Sequence, residues 1–313
     1  MIRQLAMAVG ITLVANCANA RPAQSQPGPR LFEPTELDAD IGSELRKRVP
    51  DVVLLAPRRS VVIRNGVVTL RNTMGTNLCL RQRFASQRGV GQVCSGVLVA
   101  KGLILTAAHC LVDRPIGDWM AVVGHDRDIK TPLRAVAISG IRHCIPDNEH
   151  GDLVALELAE PIEPSTQARF GSPTADDRVH LLGHPFGLSL KASTCAVENR
   201  SCDTPPRATQ IGVDWFLADL DGFKGNSGSP VYSSDGRSLI GIWSSAPSTL
   251  VLKRSSGHSD DCYVYPARPT VFWGGKVTRV DRFAFSQAPD KSPLTSCTSA
   301  VAQSLAGENA HGN

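Results

Sequence analysis

Short apolar runs separated by turn residues dominate the chain from about residue 51 onwards. The runs are rich in Val, Leu and Ile, and few stretches show the longer periodicity of an amphipathic helix. Regularly spaced short runs of this kind predict the strands of an all-β barrel or sandwich. The predicted strands are Val52–Ala56, Val61–Ile63, Val67–Leu70, Val97–Val99, Leu103–Thr106, Trp119–Val123, Leu153–Leu158, Val179–Leu182, Ala208–Phe216, Pro230–Ser233, Leu239–Ser244 and Tyr263–Tyr265.

Turn and helix signals punctuate these runs. Asn65-Gly66 lies between two of them and predicts a tight β-hairpin. Residues 183–207 are rich in Gly, Pro, Ser and Thr and are typical of loops. A short helix is expected from Ile41 to Val49, ending before Pro50. A second short helix within Gly275–Phe285 is expected to close the domain at its C-terminal end.

The first 20 residues have the pattern of a signal peptide. Arg3 supplies the positive charge, Leu5–Val14 the short apolar run, and Ala18-Asn19-Ala20 a cleavage site, so we expect cleavage after Ala20. The apolar run is too short to span a bilayer. We therefore expect a secreted or periplasmic protein without a membrane span. A lipid anchor on Cys17 is the alternative, although Asn16 fits a lipoprotein signal poorly.

The rest of the chain divides into three parts. Residues 21–50 are rich in Pro and polar residues and predict a flexible arm or propeptide. Residues 51–287 carry the strand pattern of one β-rich domain. Residues 288–313 are polar and rich in small residues, and predict a C-terminal tail.

Composition narrows the classes of protein further. The formal net charge of +4 over 313 residues is a weak bias with scattered Lys and Arg, so no nucleic-acid partner is indicated. Nine cysteines are present, and removing the signal peptide leaves eight. An even number in an exported chain predicts disulfides, although eight cysteines allow 105 pairings. Because no C-x-x-C pair occurs, the usual zinc-ribbon pattern is missing, and we expect no metal or cofactor.

Three segments carry residue types suited to acyl-transfer chemistry. A strand runs into T-A-A-H-C, which presents His109 in a small-residue turn. The segment G-D-L-V-A-L places Asp152 directly before an apolar strand, and G-N-S-G-S-P-V places Ser227 in a glycine-flanked turn before another strand. Each segment alone is common in proteins. Their combination in the order His, Asp, Ser is far more specific.

Together these motifs resemble those of the trypsin/chymotrypsin-like serine peptidase superfamily. The G-N-S-G-S-P segment and Gly183-His184-Pro185-Phe186-Gly187 are similar in motif to its bacterial glutamyl-endopeptidase and HtrA-like branch. The residue two positions after Ser227 is Ser229, so the G-x-S-x-G motif of lipases and esterases is missing. The layout similarity covers roughly residues 52–287, but only the three motifs are specific.

The resemblance implies a fold and a site. The fold would be two antiparallel six-stranded β-barrels, chymotrypsin-like, with a short C-terminal helix. His109, Asp152 and Ser227 would form the catalytic triad between the barrels, and the backbone N–H groups of Gly225 and Ser227 would form the oxyanion hole. A Cys94–Cys110 disulfide would fix the loop that carries His109. The implied activity is hydrolysis of protein or peptide substrates through an acyl-enzyme, without a cofactor.

The resemblance also assigns the substrate pocket. Asp221, six residues before Ser227, would stand at the pocket floor and favours cleavage after Arg or Lys, and Ser244 is expected in the pocket wall. Asp219, eight residues before Ser227, instead matches the glutamyl-endopeptidase and HtrA-like pattern, in which the position of Asp221 is not a charge receptor. Trp243 stands where glutamyl endopeptidases place a substrate-reading histidine, which weakens the expectation of acidic substrates. Asn226 carries no charge, so we expect neutral hydrogen bonds, rather than an ion pair with a newly cut N-terminus, to hold the oxyanion loop.

Two other functions remain open from the sequence alone. One is a protease-like binding protein that is catalytically silent, because a blocked cleft leaves no trace in sequence. The other is a disulfide-stabilised, β-rich adhesion module in which the motifs match by chance.

Overall fold

The computed structural model describes most of the predicted domain. It covers residues 41–72, 74–75, 79, 84–112, 114–126, 132–148, 151–193, 206–220, 222–245, 251–253, 262–264 and 274–282. The predicted signal peptide, the part of the predicted arm from 21 to 40, and the predicted tail from 288 to 313 lie outside the described residues.

Strands are the dominant secondary structure of the described chain. In order they are β1 Val52–Pro57, β2 Val61–Arg64, β3 Val67–Leu70, β4 Met74–Gly75, β5 Arg88–Gly89, β6 Cys94–Ala100, β7 Leu103–Thr106, β8 Trp119–Val123, β9 Arg134–Asn148, β10 Gly151–Leu158, β11 Val179–Gly183, β12 Lys191–Ser193, β13 Ala208–Ile211, β14 Trp215–Ala218, β15 Pro230–Ser233, β16 Leu239–Ser245, β17 Val251–Lys253, β18 Cys262–Val264 and β19 Gly275–Arg279. The helical segments are α1 Gly42–Arg46 and the short 3-10 turns Val49–Asp51, Arg58–Ser60, Ala108–Leu111, Ile116–Asp118 and Pro185–Gly187.

The strands form two lobes, each built on one antiparallel sheet. The first lobe is a closed barrel in the order β1-β6-β7-β10-β9-β8. The second lobe is a sheet in the order β12-β11-β15-β16-β19-β14-β13. The predicted two-lobed, chymotrypsin-like all-β architecture is therefore confirmed. The second lobe differs in detail, because its sheet has seven strands rather than six.

Local predictions hold where a short-range signal was strong. The hairpin predicted at Asn65-Gly66 joins β2 and β3, with Arg64 opposite Val67. Both turn residues have positive φ, 50° and 77°, as the tight hairpin turn requires. The three smaller sheets are two-stranded pairs, β2 with β3, β4 with β5, and β17 with β18.

The apolar runs are continuous rather than alternating because the barrel strands are covered on both faces. In β10, Val154 and Leu156 belong to the cluster inside the barrel. Leu153 and Ala155, on the opposite face, belong to a cluster that also contains Leu182 of the second sheet. Successive strand residues point to opposite faces. The two lobes therefore share one buried apolar interface, at whose edge the candidate site lies.

The predicted C-terminal helix is wrong over residues Gly275–Arg279. These residues form β19, which pairs with β14 on one side and β16 on the other. Val277 and Thr278 are β-branched and almost fully buried, so they suit a central strand whose backbone groups are satisfied by both neighbours. Residues 283–285, the end of the predicted helix, lie outside the described residues.

The predicted arm also ends earlier than expected, because residues 41–50 are packed onto the domain. Helix α1 is shorter than the predicted helix, and its Leu45 is only 1% exposed. The Arg48 guanidinium, also buried, donates to the backbone oxygens of Gly236 and Arg237 at 3.4 and 2.7 Å. Asp51 accepts a hydrogen bond from the Thr166 hydroxyl at 2.8 Å. Residues 41–50 are therefore part of the folded domain, whereas the sequence assigned them to the arm.

Among the described residues, no helix has the length and apolar character that crossing a membrane would require.

The packing of α1 generates the first prediction. Leu45→Ala should lower the free energy of unfolding by about 2–5 kcal/mol, because it opens a cavity in the apolar cluster of the interface. Lys47→Ala is the matched control on the same helix. Its side chain is exposed and pairs only with Glu44, so a change within about 0.5 kcal/mol is expected. Urea denaturation measures both, and equal effects would mean that residues 41–50 are a dispensable arm.

Candidate active site

Two turns and the beginning of one strand present the predicted catalytic side chains at the junction of the lobes. His109 lies in the 3-10 turn that follows β7, and Asp152 is the second residue of β10. Strands β7 and β10 are neighbours in the barrel, with Thr106 opposite Val154, so the two residues converge at one barrel end. Ser227 comes from the second lobe, in the turn before β15.

The three side chains form one hydrogen-bonded chain. His109 Nδ1 lies 2.6 Å from Asp152 Oδ2, and His109 Nε2 lies 2.8 Å from Ser227 Oγ. Because an ionised carboxylate only accepts hydrogen bonds, it favours the tautomer with the proton on Nδ1. That tautomer leaves the Nε2 lone pair facing the serine hydroxyl. The arrangement therefore has a base positioned on a nucleophile and a third group that orients the base.

The Asp152 carboxylate is held rigidly. Its side chain is 1% exposed, and Oδ1 accepts the backbone N–H of His109 at 2.9 Å. The Asp152 backbone N–H donates to the Thr278 hydroxyl at 3.0 Å, and that hydroxyl is 3.0 Å from the Ser244 hydroxyl. The same carboxylate thus binds both the backbone N–H and the ring of His109, and this fixes the orientation of the imidazole.

The disulfide implied by the family resemblance is present. Cys110, next to His109, is bonded to Cys94 at the start of β6. Closing a loop of this length contributes about 3 kcal/mol in the chain-entropy account, and it anchors the turn of His109 to the barrel wall. Cys79 pairs with Cys262, and Cys144 is also disulfide-bonded. Cys195, Cys202 and Cys297 lie outside the described residues.

The loop before Ser227 is shaped to leave two backbone donors unused. Within the described residues, the N–H groups of Gly225 and Ser227 make no hydrogen bond. The Ser95 hydroxyl, fully buried, donates to the Gly225 oxygen at 2.9 Å and accepts the His184 N–H at 2.9 Å. The Phe186 N–H donates to the Lys224 oxygen at 2.6 Å. The oxygens of Lys224 and Gly225 are thus hydrogen-bonded within the protein. The N–H groups of Gly225 and Ser227 remain available at the opening of the site.

Gly225 cannot be replaced without cost. Its φ is +99°, and a Cβ there would lie 2.6 Å from the His184 oxygen and 2.8 Å from the Phe186 nitrogen. Both the backbone conformation and the close approach of the neighbouring loop therefore require glycine.

Of the two predicted pocket residues, the structure describes Ser244. Asp221 lies outside the described residues. The Ser244 side chain is almost fully buried, and its hydroxyl faces Thr278 in the network beneath Asp152 rather than an open pocket. Its backbone oxygen, however, lies 3.5 Å from Ser227 Oγ. Ser244 thus borders the reacting group through its main chain, whereas the sequence predicted a side-chain wall.

Sequence reasoning missed the supporting role of the Gly183–Gly187 loop, which it identified only as a family motif. The rings of His184 and His125 stack with centroids 5.4 Å apart. His184 Nδ1 lies 3.0 Å from the Leu188 oxygen, and His125 Nε2 lies 3.3 Å from the Gly187 oxygen. Burial lowers the pKa of His125 to about 4 and that of His184 well below its usual value. Two neutral imidazoles therefore pack against the Gly183–Gly187 loop, which in turn contacts the loop before Ser227 through the Phe186 N–H.

Comparison with known proteins gives one family match. The family model described as Trypsin matches residues 77–254, more than half of the chain, and this range includes His109, Asp152 and Ser227. No curated protein matches the chain.

Three solved structures are among those that match the chain. An inactivated protease paralogue of the scabies mite has 15% identity, covers 76% of this chain and 92% of its own, and has a TM-score of 0.46. A serine endoprotease of Yersinia pestis has 17% identity, coverages of 71% and 61%, and a TM-score of 0.41. A protein of M. tuberculosis, in an inactive serine-to-alanine mutant form, has 12% identity, coverages of 78% and 89%, and a TM-score of 0.43.

The stacked pair of His125 and His184 generates a prediction about pH. In the folded protein these rings stay neutral below their unfolded pKa of about 6.5, whereas in the unfolded chain they bind protons. The unfolded state then binds more protons, so the free energy of unfolding falls as the pH drops from about 6.5 towards 4. For His125 alone, the loss between pH 6.5 and pH 5 is up to about 2 kcal/mol, at about 1.36 kcal/mol per pH unit.

Urea denaturation of the wild type and of His125→Gln at pH 7 and pH 5 measures this contribution. We expect the variant to lose less stability on acidification than the wild type. Identical pH dependences would mean that His125 titrates at the same pH in both states.

Proposed function

This chain belongs to the trypsin family, and from that premise we propose that it is an exported serine endopeptidase with His109, Asp152 and Ser227 as its catalytic triad. The family makes proteins and peptides the substrate class. The observation that carries the proposal is the continuous hydrogen-bonded chain from the Asp152 carboxylate through His109 to Ser227, with separations of 2.6 and 2.8 Å. That geometry is what general-base activation of a serine needs.

The reaction would run in two halves. Ser227 Oγ attacks the carbonyl carbon of the scissile bond while His109 Nε2 accepts its proton. His109 then donates that proton to the leaving amine, the C–N bond breaks, and an acyl ester remains on Ser227. A water molecule, deprotonated by the same Nε2, attacks the ester, and Ser227 leaves with the proton returned by His109. Asp152 stabilises the imidazolium that forms in each half.

The negative charge that develops on the carbonyl oxygen would be held by the N–H groups of Gly225 and Ser227. Both donors are unoccupied in the described part of the chain, and the contacts of Ser95 hold the loop in place. Removal of one such donor in a serine peptidase costs about 10²–10³-fold in kcat. Hydrogen bonds to a charge that develops only during the reaction would act on the transition state more than on the bound substrate.

We also propose that the enzyme needs no newly cut N-terminus for activity. Asn226, fully buried and neutral, stands directly before the nucleophile. Backbone hydrogen bonds hold its turn, from the Asn226 N–H to the Phe223 oxygen at 2.8 Å and from the Ser229 N–H to the Asn226 oxygen at 2.9 Å. These neutral contacts support a loop that is formed without an ion pair.

The proposed layout follows from this assignment. Residues 1–20 act as a signal peptide cut after Ala20, and residues 41–287 form the peptidase domain, with a polar tail from 288 to 313. Two disulfides, Cys94–Cys110 and Cys79–Cys262, support a periplasmic or extracellular setting, because such bonds persist where the environment is oxidising. Cleavage after Arg or Lys, predicted from Asp221, stays a prediction.

Covalent labelling tests the proposed chemistry. A fluorophosphonate probe should phosphonylate Ser227 Oγ in the mature protein with loss of fluoride. Ser227→Ala should abolish labelling and lower kcat by about 10⁶-fold. Ser245→Ala, at the exposed end of β16, is the control and should label like the wild type. Absence of labelling in folded wild-type protein would overturn the proposal in favour of a catalytically silent binding protein or an adhesion module.

The Ser95 hydroxyl offers a second test, as a positioning residue. Ser95→Ala should lower kcat by about 10–100-fold with little change in KM, because the Gly225 loop acts mainly on the transition state. The control is Ser139→Ala, which removes a serine-to-carbonyl hydrogen bond to Glu157 on the exposed barrel surface. A change in KM alone, or kcat values equal to the control, would mean that Ser95 has no part in forming the oxyanion hole.

A further inference from the structure

The bulky side chain of Trp243 lies on the segment of β16 that borders Ser227. The Trp243 N–H donates to the Ser229 oxygen at 2.9 Å, and the Trp243 oxygen accepts the Gly228 N–H at 2.8 Å. The next residue, Ser244, places its backbone oxygen 3.5 Å from Ser227 Oγ. Trp243 is therefore paired with the two residues that follow Ser227, and the start of its side chain is fixed relative to the reacting hydroxyl.

The indole ring lies between two glycines. Trp243 is 1% exposed. A Cβ on Gly222, five residues before Ser227, would lie 2.1 Å from its Cζ2 atom, and a Cβ on Gly275, the first residue of β19, would lie 2.0 Å from its Cη2 atom. The ring thus touches the main chain on both sides. The ring fills the space between the loop that leads to Ser227 and the first residue of β19.

This space is where a substrate side chain would have to go. A scissile carbonyl with its carbon at Ser227 Oγ and its oxygen at the Gly225 N–H must point the preceding side chain away from His109. The family resemblance places the pocket for that side chain between the loop before the nucleophile and the end of β16. Gly222 directly follows Asp221, which the sequence assigns to the pocket floor, and Trp243 directly precedes Ser244, whose backbone oxygen borders Ser227 Oγ. The indole occupies the gap that these segments bound.

We infer that Trp243 fills the pocket for the residue preceding the scissile bond and restricts that residue to Gly, Ala or Ser. The substrate class, which rests on the proposed function, is then polypeptides with small side chains at the cleavage site. An Arg, Lys or Phe side chain cannot share a close-packed space with an indole. A specificity for small residues is thus incompatible with the preference for Arg or Lys that Asp221 predicts.

The ring is unable to move aside easily. It belongs to the apolar core of the second lobe together with Phe216, Val231 and Val277, all fully buried. Rotation of the indole out of the core would expose a large aromatic surface and leave a cavity. The free energy of substrate binding would have to offset that cost. We therefore expect rejection of large residues to be strong rather than graded.

A peptide panel tests the inference. Blocked peptides that differ only in the residue before the scissile bond, namely Gly, Ala, Val, Phe, Lys or Arg, are compared by kcat/KM. The wild type should favour Ala over Phe, Lys and Arg by at least about 100-fold. Trp243→Val, which introduces a β-branched residue that suits a strand, should raise kcat/KM for Phe, Lys or Arg by about 100-fold or more and change that for Ala by less than about 10-fold. Trp215→Val, on β14 of the same sheet, is the control and should keep the wild-type order.

The outcomes separate this inference from the proposed function. Fluorophosphonate labelling of Ser227 reports the chemistry, whichever residue the pocket prefers. Labelled wild-type enzyme that cleaves after Lys, Arg or Phe as fast as after Ala overturns the pocket inference alone, whereas no labelling overturns the proposed function. If Trp243→Val fails to fold, as judged by circular dichroism, Trp243→Leu replaces it. An unchanged order of residues in a folded, labelled variant also overturns the inference.

Discussion

A buried carboxylate at the junction of two β-lobes, that of Asp152, imposes the strictest requirement on this fold. A charge removed from water is tolerated only where hydrogen bonds satisfy it. Its partners are the backbone N–H and the ring of His109, and its own N–H is held by Thr278 of the second sheet. The first lobe alone therefore cannot complete this environment. Formation of the site is tied to docking of the lobes.

Docking of the two lobes depends both on burial of apolar surface and on specific hydrogen bonds between the lobes. The shared cluster, with Leu105 and Leu153 from the barrel and Ile242 from the second sheet, supplies the nonspecific attraction. The turn of Ser227 then contacts β6 directly, since the Ser95 N–H donates to the Ser227 oxygen at 2.7 Å. Gly228 permits this approach, because a Cβ there would lie 2.1 Å from the Ser95 oxygen. The position of the nucleophile is thus determined by the barrel wall, not by its own loop alone.

Chemistry and selectivity are supplied by different parts of the fold. His109 and Ser227 come from turns that the disulfide and the neighbouring loop hold in place. The ring inferred to select the substrate comes from a central strand and is part of a hydrophobic core. A residue packed in this way has little freedom to adapt, because protein interiors are as dense as organic crystals. Selectivity at this site would therefore change by repacking the core rather than by altering an exposed loop.

Local signals in the sequence were sufficient for most strands of the barrel, the Asn65-Gly66 hairpin and the three motif residues, because short apolar runs and turn chemistry act over a few neighbours. They missed β9 and predicted one strand, Ala208–Phe216, where the structure has β13 and β14. They failed for Gly275–Arg279, whose strand exists only because two distant strands supply its hydrogen bonds. They also missed the attachment of residues 41–50, where Leu45 and Arg48 bind a segment almost two hundred residues away.

The amino-acid sequence by itself determined the strand-rich class and the identity, though not the separation, of His109, Asp152 and Ser227. Only the tertiary structure decided that these three meet, that the Ser244 hydroxyl faces Thr278, and that Trp243 lies between Gly222 and Gly275. The reason is physical. A motif specifies the backbone of its own turn, but the distance between side chains from separate lobes depends on how two apolar faces pack, and that packing is a property of the whole domain.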